Sequence, residues 1–191
     1  MRLRWVCLAS ILSLAVPSLA QSGNKELALT YDWMHGNAPV GGCGCFALNG
    51  GGASLAWQLH ARIALAAEAG VTRASSQDLT LATYMVGPRF QLLSPDRERR
   101  TRLAPFAQLL LGGAHASGAL AGTAGHSSNA FAFRVGGGLD VPLHSALTLR
   151  AIQADYLLTR FPNQVNDRQN ILQLGVGLVY RFGGSASHSS R

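Results

Sequence analysis

The sequence predicts an all-β fold: an eight-stranded antiparallel, up-and-down β-barrel that crosses a membrane. Residues 171–182 carry the clearest pattern, because their side chains alternate over about ten residues between apolar or aromatic groups and small or polar groups. The apolar face holds Leu172, Leu174, Val176, Leu178, Tyr180 and Phe182. The pattern recurs along the chain, and an export-type segment precedes it. Since strands cross a bilayer only in a closed barrel, where every backbone group is paired, the alternation predicts closure.

The first twenty residues have the order of features found in a secretory signal peptide. Arg2 and Arg4 supply a positive start, residues 6–16 form an apolar core, and residues 18–20 fit a small-residue cleavage site. The apolar core is shorter than the roughly 20 residues that a spanning helix needs. We therefore expect three parts, namely a cleaved signal peptide at 1–20, a barrel domain at 21–182 and a flexible tail at 183–191.

The composition agrees with an exported membrane barrel. The chain is 48% hydrophobic and 13% charged, whereas soluble domains carry roughly 25% charged residues. Its 22 glycines suit tight turns and strands with small inner faces. The formal charge of +7 alone would suggest nucleic acid as a partner. We expect no nucleic-acid partner, because the chain is exported and its arginines are dispersed instead of forming one stripe.

Turn signals divide the chain into eight alternating segments. Residues 35–39 contain Gly, Asn and Pro, residues 94–100 form a charged turn, and residues 142–145 form a short turn. The predicted strands are 25–34, 49–59, 62–71, 78–92, 102–115, 129–143, 146–161 and 171–182.

The connection lengths predict the orientation of the barrel. Long connections follow strands one, five and seven, at 35–48, 116–128 and 162–167, whereas those after strands two and six are tight. Membrane barrels of this kind place short turns in the periplasm and longer loops outside the cell. An even number of strands then places both ends of the barrel in the periplasm.

Polar residues that interrupt the apolar pattern are predicted to line the lumen. An eight-stranded barrel has an interior just wide enough for side chains to fill, so opposite charges there should pair and plug it. The predicted inward residues are Glu68, Arg89, Gln108, Arg134, Asp140, Gln153, Asp155, Gln173 and Arg181. We expect the six charged members, Glu68, Arg89, Arg134, Asp140, Asp155 and Arg181, to form a charge network. A gated path for ions or solutes is the alternative use of such a lumen.

The seventh strand fits the pattern least well. With Gln153 and Asp155 inside, the alternation turns Arg150 toward lipid. Arg150 would then extend to the headgroups, or a β-bulge would re-aim it.

The aromatic residues lie mostly on the outward faces, where interfacial belts form in membrane barrels. They are Tyr31, Trp33, Trp57, Tyr84, Phe90, Phe131, Phe133, Tyr156, Tyr180 and Phe182. Together with the export signal, the strand rhythm and the ending Leu178-Val-Tyr-Arg-Phe182, this pattern resembles the small outer-membrane β-barrel family, the class of the OmpA transmembrane domain and OmpX.

The resemblance implies a location and a set of partners. It implies the outer membrane of a Gram-negative-type bacterium, contact with its lipid and lipopolysaccharide, and a monomer without a cofactor. It also implies that Leu178, Tyr180 and Phe182 form the signal read by the barrel-assembly machinery, although Gly183 to Arg191 follow them. The outer loops would be the place for an extracellular ligand.

Two cysteines, Cys43 and Cys45, lie in the first predicted outer loop. The oxidising surroundings of an exported protein favour a disulfide, and the neighbouring glycines favour closure of a small ring. A bond to another molecule, metal binding and free thiols are the alternatives. Two thiolates supply only half of a tetrahedral zinc site.

One constellation is similar to an enzyme motif. His126-Ser-Ser-Asn129 resembles the His-x-Ser-Asn motif of outer-membrane lipid A deacylases, with Asp140 as the acid. In a continuous strand, however, Ser128 and Asp140 lie about 40 Å apart at roughly 3.3 Å per residue, whereas catalysis needs these groups in contact. We therefore expect a non-enzymatic barrel with a plugged polar lumen and a structural or surface-interaction role. A lipid A-modifying enzyme and a small pore are the alternatives.

Overall fold

The computed structural model describes residues 25–36, 46–74, 78–93, 98, 101–117, 127–161 and 168–183. These residues form eight strands: β1 Lys25–Gly36, β2 Phe46–His60, β3 Ile63–Ala74, β4 Leu79–Gln91, β5 Ala104–Ser117, β6 Ser127–Pro142, β7 Leu147–Thr159 and β8 Gln169–Phe182. The predicted signal peptide, Cys43, Cys45, His126 and residues 184–191 lie outside the described residues.

The strands form one closed barrel in which each pairs antiparallel with its neighbours in sequence. β1 and β8 close it in an unbroken register, from Lys25 opposite Phe182 to Gly36 opposite Ile171. The predicted fold class is therefore confirmed. In the part of the chain that the structure describes, no helix is long and apolar enough to span a membrane.

The two ends of the barrel differ. The turn end holds both ends of the described barrel and the connections after β2, β4 and β6, whereas the loop end holds the connections after β1, β3, β5 and β7. At the loop end six of the eight strands run further than the alternation predicted, as where β1 pairs with β2 as far as Gly36 and Phe46, whereas β4 and β7 are slightly shorter there. Glycine and small residues there pair through their backbones, but they do not show the alternation of apolar and polar side chains by which a strand is predicted from sequence.

Large apolar side chains cover the outside of the barrel. Leu29 and Tyr31 are 61% and 59% exposed, and apolar side chains on the other seven strands point the same way. A monomeric soluble protein rarely exposes so continuous an apolar surface. The outward face is therefore the one that meets lipid.

β7 contains the irregularity that decides where Arg150 points. Arg150 pairs with Gly177 and Gln153 pairs with Gly175, so β7 has one residue more than β8 between these pairs. The extra residue forms a β-bulge that keeps Arg150, Gln153 and Asp155 all on the inner face. Of the two alternatives for Arg150, the β-bulge is the one that the structure shows, and extension of Arg150 to the headgroups is wrong.

Two glycines in β6 make room for inward side chains of its neighbours. A Cβ at Gly136 would lie 2.2 Å from Asp155 Oδ1, and one at Gly138 would lie 2.8 Å from the Phe106 ring. Both distances are shorter than any allowed contact. These glycines let Asp155 and Phe106 lie flat against the wall of a narrow barrel.

Candidate functional site

The interior of the barrel is the candidate functional site, and its turn-end half is filled by paired charges. Glu68 joins two arginines, with Arg89 Nη2 at 3.0 Å from one carboxylate oxygen and Arg134 Nη1 at 2.7 Å from the other. Toward the turn end, Glu26 lies 3.9 Å from Arg89 and accepts a 2.9 Å hydrogen bond from Arg181 Nε. Strands β1, β3, β4, β6 and β8 are thus connected through one chain of ion pairs.

A second chain of contacts runs from Arg89 to the opposite wall. Arg89 donates to Gln108 Oε1, and Gln108 Nε2 donates to Asp155 at 3.3 Å. Gln153 then connects Asp155, at 2.6 Å, to Arg150, at 2.9 Å. Arg150 Nε and Nη2 both donate to Asp140, at 2.9 and 3.1 Å, in a two-bond pair that is fully buried.

We call this connected set the polar network. Its members are Glu26, Glu68, Arg89, Gln108, Arg134, Asp140, Arg150, Gln153, Asp155 and Arg181.

Phe106 lies at the centre of the polar network. Its ring centroid is 4.9 Å from the Arg89 guanidinium carbon and 4.5 Å from that of Arg150. The ring separates two like charges and offers each a π face. A buried aromatic residue therefore takes part in the electrostatics of the lumen.

The structure places the nine predicted inward residues as follows. Eight lie inside the barrel, and Arg181 lies at its turn-end mouth with 27% of its side chain exposed. Glu26, Asp32 and Phe106 also lie inside and were not among the predicted residues, and Arg150 lies inside through the β-bulge. The alternation itself indicates that Glu26, Asp32 and Phe106 point inward. Glu26 and Asp32 have the opposite phase to the outward Leu27, and Phe106 has the same phase as the inward Gln108. At Arg150 the conflict between its phase and that of Gln153 and Asp155 indicated either a bulge or extension to the headgroups, and it did not decide between them.

The loop-end half of the lumen is filled by apolar side chains, which we call the apolar layer. Each is at most 2% exposed, and the set is Met34, Leu48, Leu79, Leu81, Leu157, Phe161 and Ile171. Gln169 fixes Phe161 by accepting from its backbone N–H at 2.9 Å and donating to its carbonyl at 3.1 Å. The inside therefore changes along the barrel axis from ion pairs to mainly apolar side chains, with Thr72, Thr159 and Gln169 as buried polar residues among them.

The turn end opens into a vestibule of about 740 Å³ that stops at Glu26 and Arg181. Glu98 belongs to its wall, in the connection between β4 and β5, where its carbonyl accepts from the Arg102 N–H at 2.8 Å. Burial raises the pKa of the Glu98 carboxyl above its ordinary value, and the Arg181 guanidinium opposes that shift. The vestibule is thus an open cavity lined by both acidic and basic side chains.

The structure separates the residues of the deacylase-like motif. β6 is one strand from Ser127 to Pro142, so Ser128 lies at the loop end and Asp140 at the turn end. Asp140 is paired with Arg150, and Asn129 lies 2.8 Å from His115 Nδ1 on the outside. Asp140 therefore cannot orient a base for Ser128. Among the described residues, no group of three or more His, Cys, Asp or Glu side chains is placed to hold a metal ion.

The comparisons with known proteins agree with this geometry. Neisserial surface protein A superposes with a TM-score of 0.63 at 13% identity, over 84% of this chain and all of that one. The chain has the fold of the small outer-membrane β-barrels. Ail, the attachment invasion locus protein of Yersinia pestis, superposes with a TM-score of 0.55 at 14% identity, over 85% of this chain and all of Ail. No protein-family model and no curated protein matches the sequence.

The end of the barrel strand β8 has the residues of the predicted assembly signal. Leu178, Tyr180 and Phe182 all point outward, and the rings of Tyr180 and Phe182 stack with centroids 6.0 Å apart. Gly183 then turns the chain with a φ of 86°. Recognition of this ending by the assembly machinery stays a prediction.

Proposed function

We propose that the protein is a non-catalytic outer-membrane barrel whose lumen is closed to solutes, and that it acts through the envelope and through its outer loops. In this proposal the chain is exported by a signal peptide cleaved after residue 20 and is inserted by the barrel-assembly machinery. It then resides as a monomer in the outer membrane of a Gram-negative-type bacterium. Its outward apolar face meets lipid and lipopolysaccharide.

The filling of the lumen is the observation that carries the proposal. The polar network connects opposite walls through hydrogen bonds of 2.6–3.3 Å, and the apolar layer lies beyond it. A hydrated ion that entered from the vestibule would have to break buried ion pairs and then cross hydrocarbon. Both steps are costly, because breaking a buried pair leaves an uncompensated charge.

Planar-bilayer recording tests closure. We expect the folded protein to give no stepwise conductance at any applied voltage in the ordinary range. A shift of gel migration on heating, together with a β-rich dichroism spectrum, verifies that the same sample is a folded barrel. Regular conductance steps from such a sample would support the small-pore alternative and overturn the proposal.

Mass analysis of lipid A tests the absence of catalysis. We expect cells that express the protein to contain the same lipid A species as cells that express the Ser128→Ala variant. Loss of an acyl chain that depends on Ser128 would show the lipid A-modifying activity instead. The separation of Ser128 from Asp140 along β6 supports the expected result.

The outer loops are the proposed place of surface interaction. Three of the four loop-end connections are long, and loops carried on a rigid barrel are where binding residues concentrate. Ail has been solved in complex with the heparin analogue sucrose octasulfate. At 14% identity that likeness shows the fold alone, so the ligand of these loops is to be found by binding assays with loop-deletion variants.

The Cys43 and Cys45 pair belongs to the first of these loops, and we propose that it forms a local disulfide. Alkylation before and after reduction, followed by mass measurement, tests this. A monomer that gains two alkyl groups only after reduction supports the disulfide. Alkylation without reduction would show free thiols, and a disulfide-linked larger species would show a bond to another molecule.

A further inference from the structure

A small cavity lies in the middle of the lumen, between the polar network and the apolar layer. Its volume is about 20 Å³, and its lining includes Asp32, Ser54, Arg134 and Gln173. A buried cavity needs roughly 10–15 Å³ of such space to hold one water molecule. The cavity therefore has the size of a single-water site.

Four polar atoms on these lining residues have no partner among the described protein atoms: Asp32 Oδ1, Ser54 Oγ, Arg134 Nε and Gln173 Oε1. The four residues are between 3% and 7% exposed. Buried polar groups in native proteins nearly always have a protein or water partner, because an unpaired one costs the full penalty of its desolvation. Four such atoms around one cavity point to a ligand that satisfies them together.

Asp32 is the most demanding of the four. Thr30 Oγ1 donates to its Oδ2 at 3.1 Å, and the Gln173 side chain also approaches the carboxylate as a hydrogen-bond partner. Among the described residues no Arg, Lys or His nitrogen lies within ion-pair distance of it. Two glycines give its carboxylate room, since a Cβ at Gly52 or Gly175 would lie 3.0 or 2.6 Å from an Asp32 oxygen. The site is thus shaped around a carboxylate with one oxygen open to the cavity.

We propose that the cavity is a binding site for one ordered water molecule. Such a water donates one hydrogen bond to Asp32 Oδ1 and one to Gln173 Oε1, and it accepts from Arg134 Nε–H and from the Ser54 hydroxyl. These four contacts use both donors and both acceptors of water, within the two to four that buried waters make. A metal cation would satisfy the oxygens alone, and it would lie against Arg134 and Arg150, which also line the cavity.

The water has a structural consequence. Asp32 and Gln173 lie on β1 and β8, the two strands that close the barrel. The contacts of Asp32 with Thr30 and Gln173, and of Thr30 with the Gly52 carbonyl, stay within β1, β2 and β8. Through Arg134, the water joins this seam to the polar network.

Crystal structures of the folded protein at atomic resolution test the site. Crystals are grown once in sodium chloride and once in rubidium chloride, because rubidium scatters anomalously. We expect one peak of water strength in the cavity in both, within hydrogen-bond distance of the four atoms, and no anomalous signal there. An empty cavity would overturn the proposal, and an anomalous peak would show a cation site in its place.

A pair of variants supplies a second test in solution. Ser54→Ala removes one partner of the water, and we expect the folding equilibrium constant to fall about fivefold, the effect of one typical hydrogen bond. Thr148→Val is the matched control, because Thr148 Oγ1 is also buried without a partner but does not line the cavity. Its folding constant should stay the same or rise. Equal losses in both variants would contradict the water site.

Discussion

The two halves of the lumen are lined by different kinds of side chain. At the turn end and in the middle, the polar network fills the space with ion pairs and hydrogen bonds, and most of its members contact two others. At the loop end, the apolar layer fills it mainly by the packing of hydrocarbon side chains. Both halves belong to the same eight strands, so the difference lies in side-chain chemistry alone.

The comparison teaches how each half should respond to change. A buried ion pair stabilises little relative to an apolar pair of the same shape, yet loss of one partner is severe because the other charge stays buried. An apolar layer loses stability in proportion to the volume removed, and it tolerates exchanges that conserve volume. In the polar half, a single substitution should therefore cost much stability and a paired substitution little. In the apolar half, the stability lost should rise with the volume removed.

The largest effect is expected for Arg150→Met. This change leaves the Asp140 carboxylate buried without its two-bond partner. We expect the free energy of unfolding to fall by about 3–5 kcal/mol, measured by denaturant titration in lipid vesicles. The double variant Arg150→Met with Asp140→Leu is the control and should recover most of the loss. A double variant that is as unstable as the single one would contradict the pairing.

The next largest effect is expected in the apolar layer. Leu157→Ala opens a cavity beside Ile171, its neighbour in register on β8, and should cost about 2–5 kcal/mol in the same titration. Leu157→Met conserves most of the volume and should cost less than about 1.5 kcal/mol. Equal costs for the two changes would show that Leu157 is not packed as described.

A smaller effect is expected for Phe106→Leu, which removes the ring between Arg89 and Arg150. We expect a loss of about 1–2 kcal/mol from the cation–π contacts, in addition to the loss of packing. Phe161→Leu in the apolar layer measures the packing part alone, because that ring contacts hydrocarbon. If Phe161→Leu costs as much as Phe106→Leu, the cation–π contribution is absent.

The smallest effect is expected for Glu98→Gln at the turn-end vestibule. A carboxyl whose pKa is raised by folding binds its proton more tightly in the folded protein, so it favours folding at low pH. That contribution declines as the pH rises from the ordinary pKa of the carboxyl through the raised one. The wild-type free energy of unfolding should therefore fall slightly across this window relative to Glu98→Gln. Parallel pH profiles for the two proteins would contradict the raised pKa.

The alternation of side chains was sufficient to predict the eight strands, because lipid on one side and a narrow lumen on the other impose a period of two on every strand. The same phase placed Arg89, Arg134 and Asp155 inside. At Arg150 it left two alternatives, a β-bulge or extension to the headgroups, and only the strand register shows the bulge. The pairing partners within the lumen depend on strand register and barrel closure, which bring Arg134 beside Glu68 across 66 positions of sequence.

The division of the lumen into two halves was not predicted either. Met34, Leu79 and Ile171 look in sequence like residues that face lipid, and only their phase near the loop end places them inside. The residue type alone does not show whether an apolar side chain lies on the lipid face or on the inner face of a strand. Where both faces are apolar, the alternation that marks a half-buried strand fades, and the inward side chains lose their signal.

Double-mutant cycles in the two halves test the central claim most directly. One cycle combines Arg150→Met with Asp140→Leu, and the other combines Leu157→Ala with Ile171→Ala, each measured by the free energy of unfolding in lipid vesicles. Each single change at the ion pair should cost about 3–5 kcal/mol and the double change much less, so we expect a coupling energy of more than about 3 kcal/mol for the ion pair. For the apolar pair we expect less than about 1 kcal/mol. Equal coupling energies in the two cycles would contradict a lumen closed by an interdependent polar network at one end and by graded packing at the other.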